Sequence, residues 1–445
     1  MAARRRGGGG RGARARGGSV ANRTIFTRDN LEVMRGMDSG VVDLIYLDPP
    51  FNKKKQFQAP IGSEAEGASF KDWWVMDDVK FEDMELLERK YPHITMLIRA
   101  SGAVGEQSNT PYLLYMAPRL IEMRRILKDT GSIYLHCDHT MSHSLKLLMD
   151  SVFGRQNFRN DIAWCYRGMP TKAKKFQSKH DNILFYAKSN LAIFNVLQTE
   201  STPESRRTYE SAQRRGYNVN RARGMVTIFD HEKYKAAVKD GRLPKGLREK
   251  EFDGGMTPML DWWSDIKIIG GPKNKERVGY PTQKPLALLE RVISASSNPG
   301  DMVLDPFCGC ATTCVAAEKL GRQWIGIDVS PKAAELVMTR MERELGKLFP
   351  PIHRRDAPKR GEALVRSADG TLLTRLYGEQ SGNCNICGVH FEKRNLTLDH
   401  IVPLSKGGPD ADDNIQLLCQ ACNSMKGKRS QAWAMQHYEK HWRVP

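Results

Sequence analysis

Residues 45–51 read Ile-Tyr-Leu-Asp-Pro-Pro-Phe, an apolar run that delivers an acid, two prolines and an aromatic ring. Together these types suit one chemistry, the activation of an amine whose lone pair is delocalised into an aromatic ring. The carboxylate of Asp48 and the main-chain carbonyl of Pro49 can accept its two N–H groups and draw the lone pair toward an electrophile. Phe51 offers a face for stacking, while Pro49 and Pro50 fix φ and remove competing N–H donors. Taken alone, the run also fits a strand entering an ordinary proline turn.

A second group narrows the choice. Val303-Leu304-Asp305-Pro306-Phe307-Cys308-Gly309-Cys310-Ala311-Thr312-Thr313 reads as a strand opening through a tight turn into an alanine-rich helix. Trp324 to Asp328 is then a second strand ending in an acid. An acid about 20 residues beyond a glycine-bearing turn is spaced to grip a ribose diol, and Asp328 is that candidate. No G-x-G-x-x-G follows Asp305, so no pyrophosphate cradle is specified, which argues against NAD and FAD. No Pro-Cys dipeptide occurs either, so a covalent cysteine nucleophile of the cytosine-C5 type has no support.

The C-terminal part carries Cys384-x-x-Cys387 and Cys419-x-x-Cys422, a spacing suited to a tetrahedral zinc site. Between and beyond the pairs lie Asp399, His400, Asn414 and Asn423, which supply an imidazole and hard oxygen donors. The other cysteines, Cys137, Cys165, Cys308, Cys310 and Cys314, read as core or turn residues.

At 445 residues the chain has room for two or three domains. A formal net charge of +18 fits a polyanionic partner, with double-stranded nucleic acid the economical choice. No apolar run approaches the roughly 20 residues needed to span a bilayer. Nine cysteines with two Cys-x-x-Cys pairs suit metal binding in a reducing compartment, so a cytoplasmic, DNA-associated protein is expected. Residues 1–21 form an Arg/Gly-rich tail too poor in apolar groups to fold. From Asn22 to about Asn195, β-rich runs alternate with amphipathic helices such as Tyr112 to Leu127. Residues 196–270 break that rhythm. Arg206, Arg207, Arg214, Arg215, Arg221 and Arg223 there interleave with Tyr209 and Tyr217, suiting phosphate and base-edge contacts. A basic surface insertion is the plainer alternative.

The two N-terminal motifs, in this order, resemble the β-class amino-DNA methyltransferases, over residues 23 to about 345. The resemblance implies a Rossmann-like α/β, S-adenosylmethionine-dependent methyltransferase domain over residues 22–348, with 196–270 as target-recognition region. It takes in Asp29, whose counterpart reaches the cofactor adenine, and the strand running from Gly131 to His136 on the target-base side. In Tyr280 to Pro285, Thr282 and Lys284 face the methionine end of the cofactor on this resemblance. Asp305, Phe307, Gly309 and Asp328 line the rest of its site. Ala311 departs from the pattern, which has glycine there. After a linker at 349–370, residues 371–445 resemble the HNH nuclease module, a small ββα domain stapled by zinc. That resemblance makes His400 the general base, Asp399 and Asn423 the ligands of Mg2+ or Mn2+, and Asn414 the residue that pins the loop carrying His400.

The expected function is therefore methyl transfer to an exocyclic base amine in DNA, adenine N6, with a C-terminal module that cleaves or nicks DNA. The alternative is a cytosine-N4 enzyme whose HNH-like module only binds DNA, and an RNA methyltransferase is a third reading. Oligomeric state is left open, a dimer included.

Overall fold

The computed structural model describes residues 20–104, 108–166, 168, 174–200, 210–244, 246–252, 256–271, 274–345, 350–360, 371–408 and 414–441. Among them the largest sheet has nine strands. In chain order these are β1 (Thr24–Thr27), β2 (Val42–Leu47), β3 (Leu127–Cys137), β4 (Phe158–Cys165), β5 (His180–Ala187), β6 (Trp262–Trp263), β7 (Met302–Asp305), β8 (Gln323–Asp328) and β9 (Ile352–Arg354). They lie side by side as β6-β4-β5-β3-β2-β7-β8-β1-β9. From β3 through β9 the pairing is parallel, and β5 runs antiparallel between β3 and β4. Every residue of β2 is buried, the near-continuous apolar run that a strand covered on both faces requires.

Helices α1 (Asn30–Arg35), α2 (Asn109–Ile126) and α3 (Ser142–Phe153) cover one face over Phe26, Ile45 and Leu304. Helices α4 (Leu286–Ser296), α5 (Thr312–Lys319) and α6 (Pro331–Leu345) cover the other over Tyr46, Tyr134 and Trp324. The helix expected from Tyr112 begins earlier, at Asn109. Where α5 crosses β8 the strand carries Gly326, whose Cβ would stand 3.1 Å from the Sγ atoms of both Cys308 and Cys314. The alanine-rich helix can settle on the sheet because that side chain is absent.

Residues 352–354 pair with β1 and close one edge of the sheet. They were expected in the linker, whose prolines and charges conceal a strand of only three residues; residues 361–370 of that linker lie outside the described residues. Within 196–270, short strands Tyr217–Asn220, Met225–Ile228 and Arg248–Glu251 form a small sheet beside the helix His231–Lys239. The tail at 1–19, Arg206, Arg207 and Tyr209 also lie outside the described residues.

The C-terminal unit is built from antiparallel β10 (Leu396–His400) and β11 (Ile415–Cys419), then α7 (Gln420–Lys426), the ββα order expected. Its core gathers Leu376, Leu396, Leu417, Leu418 and Ala434 with the buried cysteines. No described helix is long and apolar enough to cross a membrane.

Candidate active site

A cavity of about 390 Å³ opens where β2, β7 and β8 end, the edge at which open α/β sheets bind ligands. It is lined by Asp48 to Phe51, by Tyr280 to Lys284, by Asp305 to Cys310, and by Asp328. The Pro-Pro turn after β2 holds Asp48 at the wall, and its two oxygens differ. Oδ2 accepts from Lys284 Nζ at 2.5 Å, whereas Oδ1 is buried with no hydrogen-bond partner among the described residues. A buried lone oxygen of this kind costs free energy unless a donor arrives. Lys284, expected at the methionine end of a cofactor, lines the cavity; its ammonium sits on Asp48 and lies 3.4 Å from the carbonyl of Thr282. Thr282 itself takes a left-handed φ of 61°. Phe51 is 8% exposed, with the ammonium groups of Lys53 and Lys284 at 5.0 and 5.3 Å from its ring centroid.

The turn after β7 is tied by its own acid. Asp305 Oδ1 accepts from the Phe307 N–H at 3.0 Å and Oδ2 from the Thr313 hydroxyl at 2.5 Å. Burial pushes this carboxyl up to about 7; the two hydrogen bonds pull against that, and the charges of Asp48 and Asp328 add to it. Gly309 has φ +48°, and a Cβ there would meet the Tyr280 ring at 2.9 Å, so only glycine fits. Its N–H donates to Asp328 Oδ2 at 2.9 Å, and the Ser330 N–H donates to Oδ1 at 2.8 Å. Asp328 thus anchors the turn as well as facing the cavity, and burial raises its carboxyl. Ala311 caps α5 at φ 62°, a left-handed conformation that costs a residue with a Cβ roughly 1 kcal/mol.

Asp29 is engaged within the fold. It precedes α1 as an N-cap, with Oδ1 accepting from the Leu31 N–H at 2.8 Å and Oδ2 bridging Arg119 at 2.6 Å. The neighbouring Arg28 and Asn30 line the cavity. Arg119, which no local motif announces, also donates to Asn30 Oδ1 at 2.8 Å.

Arg214, Arg215, Arg221 and Arg223 are all exposed in the 196–270 region. In the C-terminal unit the sulfurs of Cys384, Cys387, Cys419 and Cys422 lie within 4.8 Å of one another. Burial, then the neighbouring Cys384 and Cys419, pushes the Cys387 thiol up to about 11, and Cys422 is driven in the same direction. Four thiols so crowded ionise together only around a cation, and soft donors in this number suit zinc.

Asn414 clasps the chain just after His400, accepting from the Val402 N–H and donating to its carbonyl, both at 2.9 Å. Asp399 Oδ2 meets Lys426 Nζ at 2.8 Å and Gln416 Nε2 at 3.2 Å, and the buried Lys426 also donates to the His400 carbonyl at 2.6 Å. Asn423 donates to Thr397 Oγ1 at 2.9 Å.

The sheet order, the cavity at its switch point and the two acidic turns define a Rossmann-like methyltransferase fold joined to an HNH unit. Residues 42–339 match the DNA methylase family of N6/N4 type and residues 384–429 match the HNH endonuclease family. The chain belongs to the N6/N4 DNA methylase family and carries a C-terminal HNH domain. It is 34% identical over 263 residues to the type II methyltransferase M.EcaI of Enterobacter cloacae, covering 52% of this chain and 57% of that protein. It therefore spans little more than half of that relative. It is 26% identical to the DNA adenine methyltransferase YhdJ of Escherichia coli, over 72% of this chain and 83% of that one. Among solved structures, the putative DNA modification methylase TTHA0409 of Thermus thermophilus aligns at 16% identity with a TM-score of 0.40. The alignment covers 76% of this chain and all of that one.

Proposed function

We propose that the chain transfers a methyl group from S-adenosylmethionine to an exocyclic amine of double-stranded DNA, adenine N6, and that its HNH domain cuts DNA with Mg2+ or Mn2+. One observation carries the first part: Asp48 Oδ1 is buried, without a partner among the described residues, and set in the cavity wall beside Phe51. A base turned out of the duplex and stacked on Phe51 can give one amine N–H to that oxygen and the other to the Pro49 carbonyl. Lys284 holds the second carboxylate oxygen, fixing the acceptor before the base arrives. Asp328, Gly309 and Thr282 are the residues proposed to hold the cofactor, which supplies an electrophilic methyl group when bound. Phe307 and Asp305 shape the turn beneath it.

Adenine is favoured over cytosine because Asp-Pro-Pro-Phe accompanies adenine more often among β-class enzymes, and YhdJ is described as an adenine methyltransferase. The exposed arginines of 196–270 are assigned to the DNA backbone. In the HNH domain His400 is assigned as general base, Asp399 and Asn423 as metal ligands, and the four cysteines as the zinc site.

Asp48→Asn tests the site. It keeps the shape and one oxygen but removes the charge that draws the amine lone pair out. Single-turnover transfer should fall about 100- to 1,000-fold while cofactor affinity holds. Transfer at the wild-type rate would remove Asp48 from the chemistry.

A further inference from the structure

A chain of buried polar groups runs behind Phe51. His136 on β3 is fully buried, its ring lying 5.9 Å from that of Phe51 at an interplanar angle of 14°. Its Nδ1 is 2.8 Å from the Tyr46 hydroxyl on β2, and its Nε2 is 3.1 Å from Asp181 Oδ2 on β5. The Tyr166 hydroxyl donates to the other oxygen of Asp181 at 3.0 Å. Tyr46 lines the same cavity as Asp48, two positions before it along the chain.

The hydrogen-bond directions follow from the partners. Burial raises the Asp181 carboxyl, but the His136 hydrogen bond, with the Lys284 charge adding, holds it at about 2. It is therefore an acceptor, and Nε2 carries a proton. Burial, then the charge of Asp48, lifts the Tyr46 phenol well above its ordinary value, so Tyr46 keeps its proton and donates it to Nδ1. Acid, imidazole and hydroxyl stand in the order found in nucleophilic hydrolases, except that the tyrosine here lines the cavity assigned above to an amine.

We infer that Tyr46 is a catalytic residue that receives the proton shed by the target amine, with His136 accepting the tyrosine's own proton and Asp181 positioning the imidazole. The inference rests on the amino-methyl-transfer reading above. As the nitrogen lone pair forms the bond to the methyl carbon, the sulfur–carbon pair stays on sulfur and the nitrogen becomes cationic. One N–H proton then passes to the Tyr46 oxygen while the phenol proton moves to His136 Nδ1, leaving neutral N-methyl product and an imidazolium beside Asp181. The reverse relay returns the proton to water after product leaves. Asp48, clamped by Lys284, keeps the role of holding the amine. The titratable and charged groups around the imidazole are Tyr46 and Asp48 from the β2 side, Asp181 from β5, Tyr166 beyond β4, and Lys284 ahead of α4. Phe51 and Trp164 supply the apolar walls.

The test uses full-length protein, comparing wild type with Tyr46→Phe, which deletes one oxygen from the ring. Single-turnover transfer to duplex DNA is followed against pH, with cofactor affinity by calorimetry and histidine nitrogen-15 NMR alongside. Tyr46→Phe should slow transfer about 100-fold or more with cofactor affinity unchanged. The pH dependence of transfer seen in wild type should be altered in the variant. The nitrogen spectrum should show Nε2 protonated and Nδ1 accepting, with the Nδ1 signal moved in Tyr46→Phe. Should Tyr46→Phe fail to fold, Asp181→Asn is read in its place, and it should flip the tautomer and slow transfer. Wild-type rate and pH profile in the variant, or a proton on Nδ1, overturns the relay alone. Absence of transfer by wild type to any duplex overturns the amino-methyltransferase reading and the relay with it.

Discussion

Replacing Asp305 by Asn tests whether the turn after β7 carries a buried acid. Burial raises its carboxyl to about 7 in the fold, against 3.8 when exposed. The native state therefore binds a proton that the unfolded chain has released, so this group makes the protein most stable at low pH and weakens it as pH rises through 7. Full ionisation costs about 4 kcal/mol, of which about 2 kcal/mol accrues between about pH 5.5 and 8. Asn keeps an oxygen for the Phe307 N–H, and the Thr313 hydroxyl can turn to suit the amide, so the variant has no such loss. Urea unfolding of cofactor-free protein, followed by tryptophan fluorescence at several pH values, gives both stabilities, and their difference cancels the other titrating groups. Relative to wild type, Asp305→Asn should gain about 2 kcal/mol across that interval, roughly 3 °C in Tm for a domain of this size. A difference that stays constant, or that shifts toward wild type as pH rises, would refute the placement of an acid in an environment this dry.

Three further outcomes are expected. Asp328→Ala should lower cofactor affinity about 10- to 100-fold by calorimetry, since it removes a charged acceptor and frees the Gly309 turn; normal affinity would end the ribose assignment. Arg214→Ala with Arg215→Ala should reduce the slope of log affinity for DNA against log salt by about 2, and an unchanged slope would return both to plain surface residues. Cys387→Ala should lose zinc and unfold the HNH domain, whereas His400→Ala should stay folded and zinc-loaded yet fail to nick plasmid with magnesium. Methyl transfer should persist in both, and equal nicking by wild type and His400→Ala would demote the domain to a DNA-binding module.

What the sequence discloses and what it hides divide along a physical line. Asp48 to Phe51, the turn at Asp305 to Gly309 and the two Cys-x-x-Cys pairs are local, so residue type and spacing announce them. The Asp48 to Lys284 ion pair joins residues 236 positions apart, and only the parallel order of β2 and β7 brings them together. His136, Tyr46 and Asp181 come from three strands and read singly as core residues. The cap and ion pair of Asp29 were not legible, because an acid before a helix serves equally as cap and as ligand. The strand at 352–354 went unseen because three residues carry no periodicity, and its pairing with β1 is a tertiary fact.

The central claim, that an Asp48-centred pocket methylates an exocyclic amine of DNA, is tested most directly by nucleoside mass spectrometry of duplex DNA. The DNA is incubated with methyl-labelled S-adenosylmethionine and either wild type or Asp48→Asn. The account predicts labelled N6-methyldeoxyadenosine from wild type and almost none from the variant. Label on cytosine C5, no label in the DNA, or equal labelling by both proteins would contradict it.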